Sequence, residues 1–251
     1  METLFAGRTV IRLEAAASTN NYALELLRSA SVPEGTMVVA NTQTAGKGQR
    51  GKTWLDEPGK NLLCSFVLRP SFLALSQQYL LNKAIALAVF KTVKAYVNPE
   101  TVRIKWPNDI LINDRKVAGI LIENVFSGSQ IVSCVAGIGL NVNQGVFPEG
   151  INNPVSLKMI SGNEFQLADV EADLAKQIEI SYLKLKAGKF EDISAGYNMG
   201  LWNKDVEHSF LNQGHALQGK IVRVDNEGRL VILCGDGTEA KFNHGEITLL
   251  I

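Results

Sequence analysis

The sequence predicts an α+β fold followed by a small β-barrel, and three observations carry the prediction. Apolar residues recur at helical spacing in two long stretches, Ser76 to Val97 and Leu167 to Leu185. Short β-branched runs bounded by turn residues lie before and between them. At about Asp205 the pattern changes to closely spaced β-like runs separated by Asn226-Glu227-Gly228 and Gly235-Asp236-Gly237, the rhythm of a small all-β barrel. The expected division is therefore residues 1–203 and residues 204–251.

Taken in order, Arg8 to Leu13 reads as a first strand. Ser18 or Thr19 then caps a helix bearing Tyr22, Ala23, Leu26 and Leu27. Pro33-Glu34-Gly35 ends it, and Thr36 to Ala40 is a strand. A polar, glycine-rich loop covers Asn41 to Lys60, and Asn61 to Leu68 is again a strand. The helix from Ser76 is apolar almost all round and should be buried. Val102 to Lys105 leads into the stretch that begins at Lys105, and Gln130 to Val142 reads as a further strand. Residues 143–165 read as a polar connection, and a second helix of the later block spans Phe190 to Trp202. The tail strands are Val206 to Phe210, Lys220 to Val224, Leu230 to Cys234, Glu239 to Phe242 and Ile247 to Leu250.

Composition narrows the function classes. Hydrophobic content of 46% and charged content of 20% over 251 residues describe a globular chain with ample core. Lys+Arg 25 equals Asp+Glu 25, so no overall field favours nucleic acid or an anionic membrane. Cys64, Cys134 and Cys234 are far apart in apolar runs, which suits free thiols rather than disulfides or a zinc site. Residues 1–17 lack a signal-peptide core, and Ala84 to Phe90 is too short to span a bilayer, so a cytoplasmic protein is expected.

The most informative stretch is Lys105 to Asn124, KWPNDILINDRKVAGILIEN. Ile110 to Ile112 and Val117 to Ile122 form a hairpin around the tight turn Asn113-Asp114. Strict alternation places Lys116 on one face with Ala118, Ile120 and Ile122. A lysine on an apolar face either snorkels to water or puts a cation into a dry cleft. With the amide and carboxylate of WPND beside it, the stretch suits a polyphosphate bound with a metal ion. An edge hairpin with ordinary surface charges is the alternative.

Gly46-Lys47-Gly48-Gln49-Arg50-Gly51 matches GxGxxG after a strand, but Trp54, Asp56, Pro58 and Gly59 follow, so no dinucleotide-type helix opens there. The loop still offers backbone N–H groups to an anion, with Lys47, Arg50 and Lys52 adding charge and Trp54 able to cover a base. A solvated basic loop is the competing reading. His208, His215 and His244 read as ordinary barrel residues. Asp169, Glu171 and Asp173 read as a solvated helix face.

Read together, STN at Ser18 to Asn20, TQTAGKGQRGKTW at Thr42 to Trp54, KWPND at Lys105 to Asp109, RKVAGILIE at Arg115 to Glu123 and GIGLNVN at Gly137 to Asn143 resemble the biotin protein ligase family over about the whole chain. The resemblance implies a class II synthetase-like catalytic domain, a mixed central sheet flanked by helices, with the tail as an SH3-like barrel. It implies that biotin and ATP-Mg²⁺ give biotinyl-5′-AMP and pyrophosphate, after which biotin passes to one lysine of a biotin carboxyl carrier protein or domain. Attack of a carboxylate on the α-phosphate brings anions together, which fixed cations must offset.

By the same resemblance Lys116 is the catalytic lysine. Ser18, Thr19, Asn20, Gln43, Gly46, Lys47, Lys116 and Gly119 would bind biotin. Gly48, Gln49, Arg50, Gly51, Trp54, Lys105, Asn108 and Asn141 would bind the nucleotide, and Asp109 the Mg²⁺. Lys47 and Gln49 stand where the family usually has arginines. Glutamine carries no charge, so Gln49 is expected to hold the adenylate less tightly. The STN motif at residue 18 leaves no room for the N-terminal helix-turn-helix of the family's repressors, and DNA binding is not expected. An exposed edge of the central sheet suits either the carrier or a second subunit of a homodimer. Two rival readings are a lipoate–protein ligase and a non-catalytic nucleotide-binding or carrier-docking module.

Overall fold

The computed structural model describes residues 3–151 and 153–250. In chain order the elements are β1 (Val10–Ala16), α1 (Thr19–Ser29), β2 (Met37–Gln43), β3 (Gly46–Lys47), β4 (Thr53–Trp54), β5 (Leu62–Leu68) and α2 (Gln78–Lys94). There follow β6 (Val102–Lys105), β7 (Asp109–Ile112), β8 (Arg115–Ser127), β9 (Gln130–Leu140), α3 (Leu157–Ser161), α4 (Leu167–Lys186) and α5 (Phe190–Met199). The tail holds β10 (Glu207–Asn212), β11 (His215–Val224), β12 (Leu230–Cys234), β13 (Glu239–Phe242) and β14 (Ile247–Leu250).

A seven-stranded sheet, in the order β1-β2-β5-β9-β8-β7-β6, forms the centre. It is mixed: β1 and β2 run parallel and the other pairs antiparallel. Every residue of β5 is buried, because helices cover both faces. Leu62, Cys64, Phe66 and Leu68 join the large core with α2 and α4, while Val67 meets Val38, Val135 and Ala23 of α1 on the opposite face. The α2 helix is buried nearly all round, as its unbroken apolarity demands. No helix among the described residues is long and apolar enough to cross a membrane.

The tail is not a closed barrel. Its five strands form an open sheet in the order β13-β12-β11-β10-β14. Each edge strand has four residues and hydrogen-bonds on one side only, β13 to β12 and β14 to β10. The alternation of short strands and turns was legible. Closure also requires matched stagger between the first and last strands, which strand spacing does not encode.

This sheet is tied to the larger unit through α2 and the loop before β7. The β11–β12 turn brings Gly228 against the Tyr79 ring, and the Trp106 indole N–H donates to the Gly228 carbonyl at 2.9 Å. Asn198 accepts from the Val224 N–H at 2.9 Å. The fully buried Lys83 donates to the Val224 carbonyl at 2.9 Å and to Ser194 at 3.2 Å. Burial pulls the Lys83 ammonium down to about 8 from 10.5, against a smaller upward pull from Asp225. A depressed lysine destabilises the fold while charged, and the penalty fades as pH rises from about 8 towards 10.5. Stability to urea should therefore rise across that window in the parent chain, and the rise should vanish in Lys83→Met.

Candidate active site

The site is built on a floor of strand glycines. Gly119 of β8 and Gly139 of β9 are register partners, and Gly137 pairs with Ser65 of β5 and Leu121 of β8. These positions alternate onto the α1 face of the sheet. A Cβ on Gly139 would lie 2.5 Å from the Trp54 indole, one on Gly119 2.9 Å from it, and one on Gly137 2.1 Å from Asn20 Oδ1. The absent side chains let the Trp54 ring and the Asn20 amide rest directly on the backbone.

The start of α1 supplies a buried polar cluster over this floor. Ser18, Thr19 and Asn20 are each at most 4% exposed. Gln43 Oε1, at the end of β2, accepts from the Thr19 N–H at 2.8 Å and from its hydroxyl at 3.2 Å. The Asn20 Nδ2 donates to the Leu121 carbonyl at 3.1 Å and to Glu123 Oε2 at 2.7 Å. The Ser65 hydroxyl lies 2.6 Å from Asn20 Oδ1 and 2.8 Å from Thr19 Oγ1. Asp56 fixes the strand end below, accepting from the Thr42 hydroxyl at 2.8 Å and facing the Gln43 N–H. Burial raises its carboxyl pKa against these hydrogen bonds.

Lys116 reaches the same floor through a β-bulge. The hairpin turn is as the sequence predicts, with Asn113 and Asp114 at φ 47° and 61°. The register then slips between Ile110, opposite Ala118, and Leu111, opposite Lys116, leaving Val117 as an extra residue. Val117 and Ala118 both enter the core, so Lys116 is turned away from Ala118, Ile120 and Ile122. The expected alternation is thus corrected: the lysine shares the face of Gly119, whose missing Cβ would lie 3.3 Å from Nζ. The Nζ is 2.7 Å from Asp109 Oδ1 and 5.6 Å from the centroid of the Trp54 ring. Strand partners across β7 and β8, Asp109 and Gly119, place this carboxylate beside it.

The glycine-rich loop folds back as a small hairpin, Gly46–Lys47 against Thr53–Trp54. Between them Gln49, Arg50 and Gly51 make one 3₁₀ turn with Arg50 at φ 55°, and no helix opens. Lys47 donates to Asn21 at 2.6 Å, at the start of α1. Arg50 reaches the β13–β14 turn, where its guanidinium donates to the His244 carbonyl and lies against Gly245. The His244 ring meets Trp106 edge-on at 5.5 Å. Burial lowers its pKa, Arg50 and Lys52 lower it further, and Asp109 opposes them.

Three of the nucleotide candidates sit differently from Trp54 and Arg50. Asn108 donates to the Ile120 carbonyl at 2.8 Å and pins its loop to β8. Lys105 holds its ammonium over the Trp202 ring at 4.9 Å. Asn141 is 3% exposed and donates to Val155 at 3.0 Å, leaving Oδ1 without a partner. Trp54 Nε1 is likewise buried and unsatisfied, and Asp109 Oδ1 has its ammonium neighbour but no aligned donor. Two of the six such atoms found among the described residues, Trp54 Nε1 and Asp109 Oδ1, thus belong to the side chains gathered around Gly119 and Lys116.

Among the described residues no group of three His, Cys, Asp or Glu converges as a metal cage. Mg²⁺ needs none, since it is commonly held by one or two carboxylates with substrate phosphates, and Asp109 fits that role. Sequence reasoning missed Ser65, Glu123, Gly137, Gly139, Trp106 and His244 as parts of the cleft. The alternating glycines of GIGLNVN were the available signal, because glycine in a strand interior marks close approach.

Residues 13–141 match the Biotin/lipoate A/B protein ligase family. The bifunctional ligase/repressor BirA of Bacillus subtilis is 32% identical over 94% of this chain and 73% of its own length. The biotin–[acetyl-CoA-carboxylase] ligase of Paracoccus denitrificans is 38% identical over 58% of this chain and 61% of its own. The biotin protein ligase from Aquifex aeolicus in complex with biotin and ATP superposes with a TM-score of 0.75 at 28% identity, covering 97% of this chain and 99% of that one.

Gly139→Ala tests the floor directly. The added methyl should push the Trp54 ring off β9. The Trp54 indole N–H resonance should then shift in a ¹⁵N spectrum while those of Trp106 and Trp202 stay in place.

Proposed function

The chain belongs to the biotin/lipoate A/B protein ligase family, and from that premise we propose that its cleft activates biotin with ATP and transfers the biotinyl group to a carrier lysine. The observation that carries this reading is the union, on one glycine floor, of a buried amide-and-hydroxyl cluster with a single placed ammonium. The cluster suits a small neutral ring with polar edges, and the ammonium suits the carboxylate of its side chain.

In the first half-reaction the biotin carboxylate attacks the α-phosphorus of ATP, and pyrophosphate leaves. In the second, a lysine amine of the carrier attacks the acyl carbon, and AMP leaves. Lys116, whose ammonium stands beside Asp109, would bridge carboxylate and α-phosphate oxygens in both steps and offset the repulsion between two anions. Ser18, Thr19, Asn20 and Gln43 hold the ring. Trp54, seated on Gly119 and Gly139, covers the adenine from the loop hairpin, while Gly46 and Gly119 on the biotin side and Gly48 and Gly51 on the nucleotide side let the backbone approach ligand. Lys47 stays on the biotin side, beside the start of α1, and Gln49, Arg50, Lys105, Asn108 and Asn141 are assigned to the nucleotide side. Mg²⁺ arriving with ATP would take Asp109 and neutralise phosphate charge. In this reading residues 1–203 carry the chemistry and residues 204–251 brace it, through Gly228 under Trp106 and His244 beside Arg50.

The carrier would dock along β8. Its pairing with β7 stops at Gly119, whereas β8 continues to Ser127 on β9 alone. An extended segment of the carrier can add to that edge and deliver its lysine to the end of the glycine floor.

Biotinyl-AMP formed from biotin and ATP, quantified by mass spectrometry with lipoate as control, tests the reading. Lys116→Ala should lower the rate roughly 10²–10³-fold, about 2.7–4 kcal/mol for one lost transition-state charge donor. A near-normal rate in that variant, or adenylation of lipoate without biotin, would overturn it. Gln49→Arg should slow adenylate dissociation measured by filter trapping. An unchanged rate would remove Gln49 from the retention role.

A further inference from the structure

We propose that Glu123 is a positioning residue that sets the hydrogen-bond polarity of the ring pocket, by forcing Asn20 to show the substrate an acceptor only. The proposal rests on the biotin reading above. An asparagine amide has two N–H donors and an oxygen with two lone pairs. Both donors of Asn20 are consumed by protein acceptors, the Leu121 carbonyl at 3.1 Å and the Glu123 carboxylate at 2.7 Å. Ser65 lies against the oxygen at 2.6 Å, so one lone pair remains for a ligand. The amide is 3% exposed and seated over Gly137, with no room for a side chain there.

Gln43 is fixed with the opposite polarity. Its oxygen faces both the Thr19 N–H and the Thr19 hydroxyl, which leaves its amide N–H groups for the cleft. The pocket thus offers an acceptor at Asn20 and a donor at Gln43. A cyclic urea, with N–H donors flanking a carbonyl, is the complement of that pair. A dithiolane ring offers neither group.

Without the carboxylate, one Asn20 donor loses its partner, and the Leu121 carbonyl and the Ser65 hydroxyl alone are left to favour the present orientation. Rotated by half a turn, it would point N–H at N–H. A site built to bond a polar group discriminates strongly only while its own groups keep their assigned sense. Glu123 touches neither reacting atom, so its effect should fall on recognition and leave the chemical step alone.

The test compares Glu123→Met, which has no acceptor, with Glu123→Gln, whose amide oxygen can replace it. KM values for biotin and ATP, and the penalty for biotin analogues mono-methylated at a ureido nitrogen, are read by biotin-dependent pyrophosphate exchange. Glu123→Met should raise KM for biotin roughly tenfold to a hundredfold, leave KM for ATP and kcat unchanged, and shrink the penalty for one N-methyl analogue. Glu123→Gln should restore most of both. If Glu123→Met fails to fold, Glu123→Ala carries the same expectation. An unchanged biotin KM and analogue penalty, or equal losses toward biotin and ATP, would overturn the role of Glu123. Absence of biotin-dependent exchange in the parent chain would instead overturn the functional reading beneath it.

Discussion

The architecture depends on one close approach, that of the Asn20 amide and the Trp54 ring to the bare backbone of β8 and β9. Glycine weakens a strand, through lost entropy and missing contacts. Here Gly137 and Gly139 lie in β9, which is paired along its length with β5 and β8, so the sheet interior tolerates them. The reverse face supplies the compensating core, where Ala136, Ile138 and Leu140 pack under α2 and α4. One sheet therefore carries the large core on one face, and on the other both the apolar packing of α1 and the bare glycine floor.

Charge is placed on that space with few groups. A regular β8 would have sent Lys116 into the core with Ala118. The extra residue Val117 spends two successive side chains on the core and turns the lysine to the glycine face. Asp109 holds the ammonium at 2.7 Å. Arg50 of the loop meets the C-terminal sheet at the His244 carbonyl. The tail sheet is in this sense a wall of the cleft as well as a second unit.

Local signals made much of this legible. The Asn113-Asp114 turn and the last three strands of the tail follow directly from β-branched runs and turn residues. The short α3 helix, Leu157–Ser161, escaped because five residues inside a polar connection carry no periodicity. The bulge escaped because alternation assumes regular pairing, and one inserted residue reverses every inference about the face beyond it. Ser65, Glu123 and His244 escaped for another reason. Each contacts its site partner across a long separation in the chain, which no local pattern encodes.

The glycine floor is proposed as the biotin site. That assignment is tested most directly by titrating the ¹⁵N-labelled chain with biotin, and in parallel with lipoate, in the absence of ATP. Biotin should shift the Trp54 indole resonance and the Asn20 side-chain amide together at a single affinity, and lipoate should leave both in place. Shifts with lipoate and not with biotin, or biotin shifts confined to residues away from the Gly119–Gly139 floor, would contradict it.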